Sequence, residues 1–202
     1  MQQTLMNPHF PALVLAAGAS TRLGRPKQTL QGPAGQTLLD IAIANARYLS
    51  PQVWVVVGSG YPLLRFRSQR APHGWWFNPH WQDGMATSLQ AGLTRLDTRA
   101  RGAFVLLADQ PFLHRNGLET LAQRVRDTPE EAWAARYGTR VGVPAWLPRR
   151  LWPACYELRG DSGAGAILNQ VGASAVEIAG VDLDIDTPAD WRMAWQRLAE
   201  QP

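Results

Sequence analysis

Apolar residues fall along this chain in short unbroken runs more often than in alternation. Residues 10–17, 53–57 and 104–108 are continuous and rich in branched side chains, as strands are when a parallel sheet buries both their faces. Between these runs the period lengthens. Leu38, Leu39, Ile41, Ala42, Ala46 and Leu49 recur at helical spacing over residues 37–49. Met85, Leu89, Leu93 and Leu96 do the same after Asp83, which is placed to cap that helix. A short helix over residues 62–68, a strand at residues 75–77 and a helix over residues 115–126 complete an alternation of strand and helix, which predicts βαβ units around a parallel sheet.

Beyond Pro129 the pattern changes. Residues 133–137 and 140–143 flank Gly138-Thr139 as a hairpin, and Pro144, Pro148 and Pro153 then punctuate a loop and short helix. A helix opens across residues 160–165, short strands are predicted at 175–178 and 183–185, and Thr187-Pro188 starts the last helix. No repeat, low-complexity tract or linker interrupts residues 1–202. The expectation is one α/β domain with a mostly parallel mixed sheet and a small antiparallel element between about residues 130 and 150.

Composition narrows the class. A hydrophobic content of 46% suits a globular core, and a formal charge of +4 favours anionic ligands. Arg65, Arg67, Arg70, Arg149 and Arg150 read as solvated surface, and with no groove-reading motif or basic helix the chain is not expected to bind nucleic acid. Cys155 is the only cysteine, which excludes an internal disulfide and fits a reducing compartment. No run approaches the roughly 18 apolar residues that cross a bilayer. Residues 1–10 lack the basic start and apolar core of a secretion signal, so the protein is expected in the cytoplasm, away from membranes. The nine tryptophans are scattered as core and groove fillers, and the histidines at 9, 73, 80 and 114 show no metal-site spacing.

The first apolar run ends in a loop that carries chemistry. From Gly18 to Lys27 the side chains are mostly small or cationic, so backbone N–H groups can approach an anion while Arg22, Arg25 and Lys27 supply countercharge. Of the twenty basic residues nineteen are arginine, and the single lysine is Lys27. An ammonium is a compact point charge that can follow a moving phosphate, unlike the planar guanidinium. The spacing fits neither a dinucleotide-binding G-x-G-x-x-G nor a G-x-x-x-x-G-K-[ST] loop.

LAAGASTRLGRPKQ resembles the signature loop of the MobA-like NTP transferase family, matching L-A-[AG]-G-x-S-x-R-x-G-x-x-K at every fixed place. The resemblance implies a Rossmann-like, three-layer nucleotidyltransferase fold. It also implies that Leu15, Ala16, Ala17, Gly18, Ser20, Arg22 and Lys27 wrap a nucleoside triphosphate, with Arg22 and Lys27 catalytic on its phosphates.

Acidic residues supply the other half of such a site. In open α/β sheets ligands lie beyond the carboxyl ends of the strands. Asp109 follows FVLLA and is placed either to hold a hard cation against phosphate or to cap the turn before Pro111. The resemblance favours the metal role, with Mg²⁺ as cofactor. In VDLDIDTPAD, Asp182, Asp184 and Asp186 stand at period two and would share one face of a strand, while Asp186 could instead cap the last helix. The family's second metal ligand lies here, and Asp184 and Asp186 are both candidates.

Two later stretches resemble the molybdenum cofactor cytidylyltransferase branch of that family. NPHWQDGMATS matches N-x-x-W-x-x-G-M-x-x-S and implies Asn78, Gly84 and Ser88 at the nucleotide; the helix start near Gly84 could also aim N–H groups at phosphate. LRGDSGAGAIL resembles L-x-G-D-x-G-A-[RK], implying an acceptor site at Arg159, Gly160, Asp161 and Gly163, although Gly165 stands where that branch carries arginine. The implied reaction is transfer of CMP from CTP to the terminal phosphate of the molybdopterin cofactor, with a molybdenum hydroxylase as a conceivable recipient of the product. Transfer to another phosphorylated acceptor, or cofactor binding as a chaperone, are the competing readings.

Overall fold

A computed structural model describes residues 9–200. Residues 1–8, on which the reading of no secretion signal chiefly rests, lie outside it. Strands β1 (Ala12–Ala16), β2 (Val53–Val57), β3 (Gly74–Phe77), β4 (Gly102–Leu107), β5 (Trp133–Tyr137), β6 (Arg140–Pro148) and β7 (Ser174–Val176) form one sheet in the order β3-β2-β1-β4-β6-β5-β7. Only β6 opposes its neighbours. The α/β class, the parallel core and the antiparallel element are therefore as expected.

Helices α1 (Leu38–Leu49) and α4 (Arg115–Asp127) cover one face of the sheet, and α3 (Met85–Arg95), α5 (Trp152–Tyr156) and α6 (Ala164–Gln170) the other. The remaining helices are α2 (Leu63–Arg67) and α7 (Pro188–Ala199). Alternate residues of β1 feed the two cores, Val14 joining α1 and Leu13 joining α3, which is why the strand reads as unbroken apolar sequence. A third cluster packs α7, through Ala194, on Leu23, Leu30, Leu38 and Ile185. Cys155 is buried in α5, where burial pushes its thiol up to about 11, an inert core position. No helix among the described residues is long and apolar enough to cross a membrane.

Three local expectations give way. β6 runs on through Pro144 to Pro148 instead of ending in a loop. Its pairing with β5 jumps from Gly142 to Ala145, so Pro144 falls in a bulge where its missing N–H breaks no ladder bond. Residues 183–185 form no strand; they run alongside the turn after β4, tied by the Ile185 N–H donating to the Asp109 carbonyl at 3.1 Å. Asp83 does not cap α3. It ends a 3-10 turn, and Gly84, at φ 104°, takes the cap position.

Candidate active site

The strand order reverses between β1 and β4, and the loops leaving these two strands part to open a cleft. The cleft holds a cavity of about 440 Å³ lined by Leu15, Ala16, Ala17, Gly18, Lys27, Gly84, Ser88, Asp109 and Asp161, among others. The sequence had assigned these nine to nucleotide, metal or acceptor. A Cβ built on Gly18 would meet nothing within 4 Å, so the glycine leaves open space under the loop instead of relieving a clash.

The loop keeps its shape by bonds at both ends. Ser20 lies in the left-handed region at φ 56°, and its Oγ accepts from the Lys27 N–H at 3.0 Å. Ser20 thus shapes the loop and does not line the cavity. Gln28, 2% exposed, donates from Nε2 to the carbonyls of Ala16 and Gly18 at 3.1 and 3.0 Å, pinning the strand end to the far side of the loop. Sequence reasoning passed over Gln28, whose only signal is an amide directly after the lysine.

Lys27 then meets the acids. Its Nζ lies 2.5 Å from Asp109 Oδ2 and 2.9 Å from Asp186 Oδ1, while Arg22 reaches the other Asp186 oxygen at 2.7 Å. Burial alone would lower the Lys27 pKa, but Asp109 and Asp186 outweigh it and hold it above the ordinary value. For Asp186 too, desolvation is overcome by Lys27 and Arg22, and its carboxyl sits below the ordinary range. Asp184 behaves oppositely: desolvation, then the charge of Asp109, pushes it up to about 6. Asp182 is exposed and makes no hydrogen bond or ion pair among the described residues.

Asp186 is free for this role because Thr187 caps α7, in a capping box with Asp190. Asp109 likewise points at Lys27 and does not cap the turn before Pro111. Among the described residues no three His, Cys, Asp or Glu side chains gather as a metal cage. Asp109 Oδ1, however, is buried without a hydrogen-bond partner among those residues. An orphaned carboxylate oxygen suits a hard cation, and Mg²⁺-type ions are commonly held by one or two carboxylates together with substrate phosphates.

The segment from residue 78 to 88 closes the cavity in a way the motif alone did not show. Asn78 is buried, and its Nδ2 donates to Thr87 Oγ1 and Ser88 Oγ at 2.9 and 3.0 Å while its Oδ1 accepts from the His80 N–H. Asn78 therefore folds the segment, and Ser88 lines the cavity. Two of the first α3 amides are not free for phosphate, since the Ala86 N–H donates to the Gly160 carbonyl and the Thr87 N–H to the Gly84 carbonyl. A Cβ on Gly84 would lie 2.2 Å from that Gly160 carbonyl, so it is the bare Gly84 that lets the segments touch.

The proposed acceptor residues divide. Asp161 reaches the first cavity and Gly163 a second one beside it. Gly160 serves as the α3 contact. Arg159 lines neither cavity; its Nη1 donates to the carbonyls of Tyr156 and Leu158, each at 2.8 Å, at the end of α5. The expected helix does open in this stretch, α6 starting at Ala164, but with seven residues it is too short for a strong terminal dipole.

Residues 12–176 match the MobA-like NTP transferase domain. The chain belongs to this family. It is 30% identical to the purine catabolism protein PucB of Bacillus subtilis, over 94% of this chain and 97% of that one. The nicotine blue oxidoreductase of Paenarthrobacter nicotinovorans is also 30% identical, with 81% and 83% covered. A probable molybdenum cofactor guanylyltransferase of Mycobacterium avium shows the same identity over 59% of each chain. Among solved structures, Rv0371c of Mycobacterium tuberculosis superposes with a TM-score of 0.76 at 28% identity, covering 93% of this chain and 98% of that one. A complex of Rv0371c with manganese superposes at 0.71 and 27%, covering 96% and 98%. As a member of this family the chain is a nucleotidyltransferase.

Proposed function

We propose that this nucleotidyltransferase moves CMP from CTP to the terminal phosphate of the molybdopterin cofactor, releasing pyrophosphate. The observation that carries the reading is the Lys27 ammonium, shared by Asp109 and Asp186 at the mouth of a cavity roofed by the glycine loop. Such transfer needs positioning and charge neutralisation more than covalent catalysis. In the reaction Lys27 and Arg22 turn from the carboxylates to the triphosphate, offsetting charge on the leaving pyrophosphate. Gly18 leaves room for the phosphates, and Gln28 and Ser20 keep the loop from relaxing. Asp109 and Asp186, with Asp184 beside them, would hold Mg²⁺ or Mn²⁺. Bound there, the cation would polarise the phosphoryl group under attack.

The choice of CTP rests on Ala16-Ala17-Gly18, since the similar guanylyl branch usually reads L-A-G-G there, and the choice of acceptor on the relative named for molybdenum cofactor guanylyl transfer together with the branch motifs. A second reading, transfer to another phosphorylated acceptor, is favoured by Arg159 being turned away and by the bare Gly165. The deciding experiment measures pyrophosphate release from each of the four triphosphates with and without molybdopterin cofactor. Release that requires both CTP and the cofactor supports the proposal; no release with CTP, or release that ignores the cofactor, refutes it.

A further inference from the structure

The transfer reaction proposed above requires a place for the body of the acceptor, and the inference here rests on that reaction. The second cavity, about 420 Å³, opens beside the first and shares Leu15, Met85 and Leu107 with it. Much of its lining is apolar or bare, with Gln110, Tyr137 and Asn169 among the polar exceptions. β6 contributes Val141, Gly142 and Val143, and the start of α6 faces them with Gly165, where a Cβ would meet only the Val141 carbonyl, at 3.7 Å. Asn169 ties the two walls together: its Nδ2 donates to the carbonyls of Val141 and Gly165, both at 2.7 Å, and its Oδ1 accepts from the Val141 N–H. A mostly uncharged cavity of this volume suits the body of a small molecule.

Two charged side chains line this cavity, one of each sign. Among the described residues that line it, Arg140 is the only cation and Asp184 the only acid. Arg140 is exposed at the hairpin tip and makes no hydrogen bond or ion pair through its side chain among those residues. Its neighbours are committed elsewhere: Arg136, on the same hairpin, pairs with Glu177, and Arg159 is spent on loop carbonyls. Arg140 lines the second cavity and not the first, so it stands apart from Lys27 and Asp109.

We infer that Arg140 binds an anionic group of the acceptor distinct from the phosphate that reacts, and so sets acceptor specificity. A guanidinium fork takes a carboxylate or oxo-anion edge-on through two hydrogen bonds. The body of the acceptor lies in the second cavity, its phosphate enters the first, and its second anion ends at the hairpin. This assigns to Arg140 the recognition that Arg159 and Gly165 do not supply.

The test has two arms, because the reaction and the residue can fail separately. In steady-state assays with CTP and molybdopterin cofactor, Arg140→Ala should raise the acceptor KM at least tenfold while kcat and the CTP affinity change less than threefold. Arg140→Lys should recover part of the loss. In the second arm, fluorescence titration compares pterin-6-carboxylate with the uncharged 6-methylpterin. The parent protein should bind the carboxylate more tightly, and Arg140→Ala should erase that preference without changing 6-methylpterin binding. If the parent turns over no acceptor, the transfer reading falls while the pterin pair still judges Arg140. An unchanged acceptor KM, or a parent that shows no preference for the carboxylate, overturns the inference.

Discussion

Replacing Lys27 by methionine keeps most of the side-chain volume and removes the charge, so its effect isolates the electrostatics of the cluster. Three carboxylates, Asp109, Asp184 and Asp186, are balanced by Lys27 and Arg22. Asp186 keeps Arg22 in the variant, so the loss falls on Asp109, 14% exposed, with one oxygen already unpartnered. Stranding one partner of a fully buried pair costs about 3–5 kcal/mol. Some exposure remains here, which reduces the expected cost to about 2–3 kcal/mol, a large share of the roughly 5–15 kcal/mol that holds a domain together.

The pH dependence has a definite sign. Asp184 already sits at about 6, above its unfolded value, and loses the restraining charge of Lys27 in the variant. A carboxyl whose folded pKa is raised binds its proton more tightly when folded, so the deficit must shrink as the pH falls through that value. Urea unfolding followed by tryptophan fluorescence should show a deficit of about 2–3 kcal/mol at pH 7.5 and a smaller one at pH 5. A deficit below about 1 kcal/mol at pH 7.5, or one that widens on acidification, would refute the reading of Lys27 as the counterion of this cluster.

Three further outcomes check other parts of the structure. Asp40, fully buried, accepts from the Thr37, Gln69 and Arg70 N–H groups and from the Thr37 and Ser68 hydroxyls; Asp40→Ala orphans three backbone donors and should cost at least about 3 kcal/mol in a thermal melt. Desolvation opposes its charge, but those bonds win and lower its pKa, so its stabilisation is present above the unfolded value and lost as pH falls through the folded one. Gly84→Ala puts a Cβ at φ 104° and 2.2 Å from the Gly160 carbonyl, so calorimetry should show weakened binding of the nucleoside triphosphate, proposed above to be CTP; unchanged affinity would mean the two segments are not coupled. Asp109→Asn should abolish Mn²⁺ binding seen by electron paramagnetic resonance and slow transfer on the order of 100-fold or more, and a variant that binds Mn²⁺ like its parent contradicts the metal assignment.

Much of the site was legible because its signals are local. The unbroken runs of β1, β2 and β4 announce a parallel sheet, the small and cationic residues from Gly18 to Lys27 announce a loop open to phosphate, and Asp109 is marked by following a buried strand. What stayed hidden depends on contacts between distant residues. Period two implied that Asp182, Asp184 and Asp186 share a face, yet the segment is not a strand, and it is the Ile185 bond to the Asp109 carbonyl that brings Asp186 to Lys27. Arg159 carried the right charge in the right motif and spends it on its own loop, while Arg140, unremarkable in sequence, arrives at the second cavity because the β5–β6 hairpin carries it there. Local pattern determined which elements form and which residues can carry charge. Only the tertiary fold decided which charges meet, because hydrogen bonds and desolvation act between neighbours in space whatever their separation along the chain.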